Sequence, residues 1–111
     1  MISIVIPTYN NLDYLKLCLN SINKNSKYPH EIKLHINDGS DGTLEFAKKN
    51  NIFFTHSKTN IGLCSAINTV CSTVNSKYIL YAHDDMYFCP NWDESLLNEI
   101  KEIKNDMFFL S

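Results

Sequence analysis

Residues 2–24 read ISIVIPTYNNLDYLKLCLNSINK, and two periodicities meet inside them. Ile2 to Pro7 form an apolar run of strand length, brought to a stop by the proline. From Asn11 onward Leu12, Leu15, Leu19 and Ile22 recur on one helical face, and Asn11 stands where it can cap that helix. A buried strand followed at once by an amphipathic helix opens a βαβ unit.

The alternation continues along the chain. EIKLHIN (31–37) sets Ile32, Leu34 and Ile36 against Lys33, His35 and Asn37, which predicts a half-buried strand. DGSDG predicts a turn, followed by a helix that buries Leu44, Phe46 and Ala47 and ends at KKNN. IFFT (52–55) reads as a third strand, and after KTNIG the stripe Leu63, Ile67, Val70, Cys71 and Val74 marks a third helix. KYILYA (77–82) is the fourth strand. CPNW opens a fourth helix with Trp92, Leu96, Leu97, Ile100 and Ile103 inward, and DMFFLS (106–111) reads as a fifth strand. The order βαβαβαβαβ predicts an α/β fold, Rossmann-like, with a mostly parallel sheet flanked by helices. No repeat, low-complexity tract or linker interrupts it, so residues 1–111 are expected to form one domain. A last strand with no helix after it predicts that the sheet continues in a longer parent, and its unfinished edge could pair in a homodimer.

Composition narrows the partners. The 111 residues carry a formal net charge of −2, too little basic charge to grip nucleic acid. All ten basic residues are lysine, so a phosphate would be held by lysine, backbone N–H groups or a metal, not by an arginine fork. The start at Met1-Ile2-Ser3 lacks the charged lead of a signal peptide, and no run approaches the ~20 apolar residues of a membrane span. Cys18, Cys64, Cys71 and Cys89 have no zinc-type spacing, and Cys64 and Cys71 read as buried reduced thiols. A cytoplasmic protein is the expectation.

Ligands of open parallel sheets sit beyond the carboxyl ends of the strands. After the first strand come Thr8, Tyr9 and Asn10; after the second, Asn37, Asp38, Gly39 and Ser40; after the third, His56, then Asn60 and Gly62; after the fourth, His83, Asp84 and Asp85. Taken singly, each has a structural explanation: a turn, a cap, a solvated charge. Taken together they fit one ligand. Tyr9 offers a face for stacking a nucleobase, and Asp38 an acceptor for a base N–H or a ribose hydroxyl. The helix start at Gly62 presents N–H groups to anionic groups. Asp84 and Asp85 are adjacent like charges, tolerable beside a hard cation such as Mg²⁺ or Mn²⁺ that bridges to a diphosphate.

In combination SIVIPTYNNLDYLKLCLNSI, NDGSDGT, NIGLCSAIN and YILYAHDDMYFCPNWDESLL strongly resemble the N-terminal half of family 2 glycosyltransferases with the GT-A fold, in order and over essentially the whole chain. The resemblance implies a nucleotide-diphosphate-sugar donor site. In it Pro7, Thr8 and Tyr9 lie against the base, Asp38 contacts base or ribose with Ser40 beside it, and Asn60, Gly62 and Ala66 border the nucleotide. Asp85 matches the last aspartate of the D-x-D motif, a metal ligand for Mn²⁺ or Mg²⁺. His83 stands where the first aspartate is expected, able to ligate Mn²⁺ or contact the ribose, and Asp84 shares the role. Ile67 stands where many members carry arginine.

The resemblance further implies inverting transfer of a sugar to an acceptor hydroxyl, with the general base in a second half expected beyond Ser111. No acceptor is legible. A catalytically incompetent nucleotide-sugar-binding module is the alternative. A sugar-nucleotide pyrophosphorylase would need a glycine-rich basic loop where this chain has PTYNN, and a receiver domain would need an acidic pair after the first strand.

Overall fold

The computed structural model describes residues 2–103. Strands and helices alternate as β1 (Ile2–Tyr9), α1 (Leu12–Asn25), β2 (Glu31–Asn37), α2 (Thr43–Lys49), β3 (Phe53–Ser57), α3 (Leu63–Cys71), β4 (Tyr78–Tyr81) and α4 (Trp92–Glu102). The four strands form one sheet in the order β3-β2-β1-β4, and every pairing is parallel. The expected α/β alternation is therefore present through its fourth helix. The fifth strand expected at 106–111 lies outside the described residues.

β1 is central, which explains its unbroken apolar run: Ile2 through Thr8 are all buried. The pleat sends Ile2, Ile4 and Ile6 to one face, where the register sets Ile4 beside Ile32 and Ile6 beside Leu34. Onto that face pack Leu15, Cys18, Leu19 and Ile22 of α1, Ala47 of α2, and Ala82 and Phe88 from the chain after β4. Trp92, Leu96 and Leu97 of α4 cover its margin. Each fully buried side chain of this size contributes roughly 1.5–3 kcal/mol, so this face carries most of the stability.

The opposite face departs from expectation. The alternation in β2 predicts a half-buried strand, yet Lys33, His35 and Asn37 are buried as fully as their apolar neighbours. The chain around α3 covers them, and that chain together with β3 supplies partners. Lys33 Nζ donates to the Thr73 carbonyl at 2.6 Å and pairs with Glu31 at 3.1 Å. His35 Nδ1 lies 2.7 Å from the Thr55 hydroxyl and Nε2 lies 3.2 Å from that of Ser57. Burial holds His35 below the ordinary imidazole range, against a smaller opposing pull from Asn37. Polar side chains bury here because every one is bonded.

Four smaller expectations are also corrected. Asn11 occupies the N-cap of α1 without a side-chain cap bond; Asp41 reaches over from the β2–α2 loop and accepts the Leu12 N–H at 3.2 Å. Leu63 is half exposed; Val70 of the expected stripe is buried, Ala66 joins it, and α3 ends at Cys71 so that Val74 lies beyond it. Cys64 is exposed and Cys71 half-buried; both are free thiols, as are buried Cys18 and exposed Cys89. No helix among the described residues is long and apolar enough to cross a membrane.

The link between α1 and β2 is held by one buried carboxylate that the sequence pattern does not single out. Asp93, 0% exposed, accepts the N–H groups of Lys27 at 2.9 Å and Tyr28 at 2.7 Å. It also accepts its neighbour Glu94 N–H at 3.0 Å and His30 Nε2 at 2.8 Å. His30 Nδ1 in turn accepts the Ile2 N–H at 3.1 Å, which fixes the ring proton on Nε2. Burial works to raise the Asp93 pKa, but the four donors outweigh it and bring the group down to about 2.

Replacement of Asp93 by Asn turns an amide toward donors and is expected to lower unfolding stability by about 3 kcal/mol, read by urea denaturation at pH 7. Because the folded pKa lies below the unfolded value of 3.8, the charge contributes on the order of 2 kcal/mol above that value. The contribution fades as pH falls toward 2, so the gap between wild type and Asp93→Asn should narrow over that window. A gap constant from pH 6 to pH 2 would contradict the assignment.

Candidate functional site

The strand order reverses at β1. β2 and β3 extend the sheet to one side, and β4 returns to the other, so the carboxyl ends of β1 and β4 part at a topological switch point. A cleft of about 360 Å³ opens there. Pro7, Thr8 and Tyr9 line it from the end of β1, Asn60 and Gly62 from the start of α3, and His83 and Asp84 from the end of β4. Asn11, Asn37 and Leu63 complete the wall.

The cleft is held open by bonds between loops. Asn10 and Asp38 both adopt left-handed backbone, with φ of 46° and 61°. Asn10 Nδ2 donates to Asp38 Oδ2 at 3.0 Å, while the Gly39 N–H donates to Asn10 Oδ1 at 3.0 Å, tying the ends of β1 and β2 together. The Asp38 N–H donates to the Ser57 carbonyl at 2.8 Å and binds the end of β3 to the same node. The Asn10 amide, with help from Ser40, holds the Asp38 carboxyl below its usual range. Gly39 is required at φ +86°, where a Cβ would meet Ile36 Cγ2 at 2.7 Å.

Across the cleft the Thr8 hydroxyl donates to Asp84 Oδ2 at 2.8 Å, joining β1 to the loop after β4. Asp85 is exposed and has neither hydrogen bond nor ion pair among the described residues. The field of both carboxylates reaches Cys18: burial first, then Asp84 and Asp85, push its thiol up to about 11. His83 is exposed, with Nδ1 3.3 Å from the Tyr81 hydroxyl. Burial, and then Asp84, raise the Tyr81 pKa.

The third wall is the entrance to α3. Gly62 adopts φ 86° and ψ 166°, a region essentially reserved for glycine, and nothing stands within 4 Å of where its Cβ would be. The first-turn N–H groups of Leu63, Cys64 and Ser65 have no acceptor within the helix. Asn37, beneath them, accepts the Ile61 N–H at 3.2 Å and lies 2.8 Å from the Ser57 hydroxyl, fixing this loop.

Of the residues singled out in the sequence, the cleft unites Pro7, Thr8, Tyr9, Asn60, Gly62, His83 and Asp84. Asp38 and Asp85 flank it through direct neighbours and do not line it. Ser40 is exposed, with its N–H 3.3 Å from Asp38 Oδ1. Ala66 is fully buried in α3, so it backs the wall and does not touch the opening. Asn37, which the strand-end rule set at this rim without a role of its own, and Asn11, read only as a helix cap, also line the cleft.

The carboxylates fit a hard cation in one respect and fall short in another. Asp84 has one oxygen without a partner and Asp85 has two, oxygen chemistry suited to Mg²⁺ or Mn²⁺. Yet no three His, Cys, Asp or Glu side chains among the described residues are arranged to hold a metal by themselves. Such an ion would need ligand oxygens to complete its shell.

The model of glycosyl transferase family 2 matches residues 3–111. The chain is 34% identical over 109 residues to chondroitin synthase of Pasteurella multocida, covering 94% of this chain and 11% of that protein. It is 29% identical over 111 residues to glycosyltransferase GlyA of Streptococcus pneumoniae, covering 96% of this chain and 16% of the relative. It thus spans well under a third of these curated relatives. Among solved structures, S. aureus TarS 1-349 in complex with UDP-GlcNAc superposes with a TM-score of 0.80 at 24% identity, over 91% of this chain and 31% of that one. A mannosyltransferase from Pyrobaculum calidifontis, in complex with GDP-Man and Mn²⁺, gives 0.73 at 18% identity, over 94% and 32%. Fold and family model agree: this chain belongs to glycosyl transferase family 2, and its parallel sheet is that of the GT-A enzymes.

Proposed function

We propose that residues 1–111 act as one donor-binding unit of a glycosyltransferase, taking a nucleotide-diphosphate sugar in the cleft between β1 and β4 for inverting transfer to an acceptor hydroxyl. The observation that carries this reading is the meeting, at one switch point, of an aromatic face, a helix start and an acidic pair. Tyr9, 52% exposed, supplies the face for the base. The free N–H groups at the start of α3 suit negative charge, and among the described residues no lysine lines the cleft to share that task. Asp85 and Asp84 would hold the divalent cation, Mn²⁺ or Mg²⁺, whose charge when bound offsets that of the diphosphate. The solved neighbours with a nucleotide sugar support the same substrate class.

Each part has its own task. Tyr9 orients the nucleoside. Asp38, oriented by its bonds from Asn10 and Ser40, accepts from the ribose or the base. The bond from Thr8 to Asp84 fixes the acidic loop relative to Tyr9, so that base and diphosphate are gripped at a constant separation. In line attack by the acceptor hydroxyl on the anomeric carbon then needs a base, to which no residue of the described cleft is assigned.

Calorimetric titration with nucleoside diphosphates, with and without Mn²⁺, tests the site. Asp85→Ala should abolish most of the gain in affinity that Mn²⁺ brings while leaving metal-free binding intact. Tyr9→Ala should weaken binding about tenfold even without metal, the loss expected for one stacked base. Equal affinity with and without Mn²⁺ in the wild type would refute the acidic pair's role, and an unchanged Tyr9→Ala titration would refute stacking.

A further inference from the structure

We propose that Asn37 reads the nucleobase, selecting bases that present a carbonyl oxygen over those that present an amino group at the same position. The inference rests on the donor-binding reading above and names the class of base that cleft would take. Asn37 is 4% exposed, yet it lines the cleft. In the β1–β2 register it is the partner of Tyr9, so the two residues stand side by side on one face at the strand ends, a strand spacing of about 4.8 Å apart. A base stacked on Tyr9 brings its edge to Asn37.

The direction of the amide decides what it recognises. Oδ1 is committed to the protein: it accepts the Ile61 N–H at 3.2 Å and lies 2.8 Å from the Ser57 hydroxyl. Turning the amide over would set NH₂ against the Ile61 N–H and lose that bond. Nδ2 has no hydrogen-bond partner among the described residues. No side-chain nitrogen or oxygen described is both buried and unpartnered, so Nδ2 retains access to the cleft. A nine-tenths buried amide held by its oxygen offers only a donor. Uracil O4 and guanine O6 accept from it, whereas cytosine and adenine place amino groups there, and donor would face donor.

The test is calorimetry on the full 111-residue chain with UDP against CDP and GDP against ADP, in the presence of Mn²⁺. The carbonyl member of each pair should bind at least about fivefold more tightly. Asn37→Asp keeps an acceptor for Ile61 and Ser57 but removes the donor, so the ratio within each pair should fall to one or reverse, with thermal unfolding checking that the variant is folded. If the variant does not fold, the wild-type ratios alone decide. A wild-type ratio near one, or a ratio preserved in Asn37→Asp, overturns the role of Asn37 while leaving nucleotide binding in place. Failure of all four nucleotides to bind overturns this inference and the donor site together.

Discussion

β1 has two parallel partners, β2 from Ser3 to Tyr9 and β4 along its first half, and this arrangement places everything else. Parallel partners on both sides demand crossovers, which supply the helices, and they bury β1 on both faces. Because β4 lies on the opposite side of β1 from β2, the loops that leave β1 and β4 turn away from each other. The cleft is the space they leave. Tyr9 and Asn37 close two strands in register, and β4 stops beside Val5 so that the chain after it brings Asp84 to the same opening; none of the three is near another in sequence.

Keeping that opening requires polar chemistry in unusual places. Asn10, Asp38 and Gly39 all have positive φ and are cross-bonded, so the ends of β1, β2 and β3 form one rigid lip. Under the lip, His35, Thr55, Ser57 and Asn37 form a polar layer below the start of α3. At the other end of the sheet Asp93 and His30 bind α4 to the start of β1. The apolar face of the sheet supplies stability. The polar face supplies position, and at its edge half-buried Asp84 keeps one oxygen without a partner while exposed Asp85 keeps two.

Much of this was legible in the sequence, and the residues explain where legibility ended. The continuous run ISIVIP located β1, since a central parallel strand has no solvent face to encode. The stop expected at Pro7 does not hold: β4 pairs only as far as Val5, and β1 runs on beside β2 through Pro7 to Tyr9. EIKLHIN gave the strand but not its burial, because periodicity reports polarity and says nothing of whether Lys33 will find the Thr73 carbonyl. The leucine at position 63 fits the stripe of α3, yet the turn at Gly62 leaves it half exposed at the cleft wall. Placement of Tyr9, Gly62, His83 and Asp84 at one rim followed from the rule for strand ends and holds. Asn37 was placed at the rim but its bonding was not legible, and Asp93 was not picked out at all, since both depend on bonds to residues 20 to 66 positions away.

A second groove of about 350 Å³, lined by Tyr28, Pro29, Glu94, Leu97, Asn98 and Lys101, lies on the α1–β2 connection and α4 and provides the natural control. Backbone amide shifts recorded while UDP, then GDP, is added with Mg²⁺ would compare the two sites directly. The switch-point account predicts that the largest changes fall on Tyr9, Asn37, Gly62 to Ser65 and His83 to Asp85, with the Tyr28–Lys101 groove unmoved. Changes centred on that groove, or scattered without a maximum at the strand ends, would contradict it.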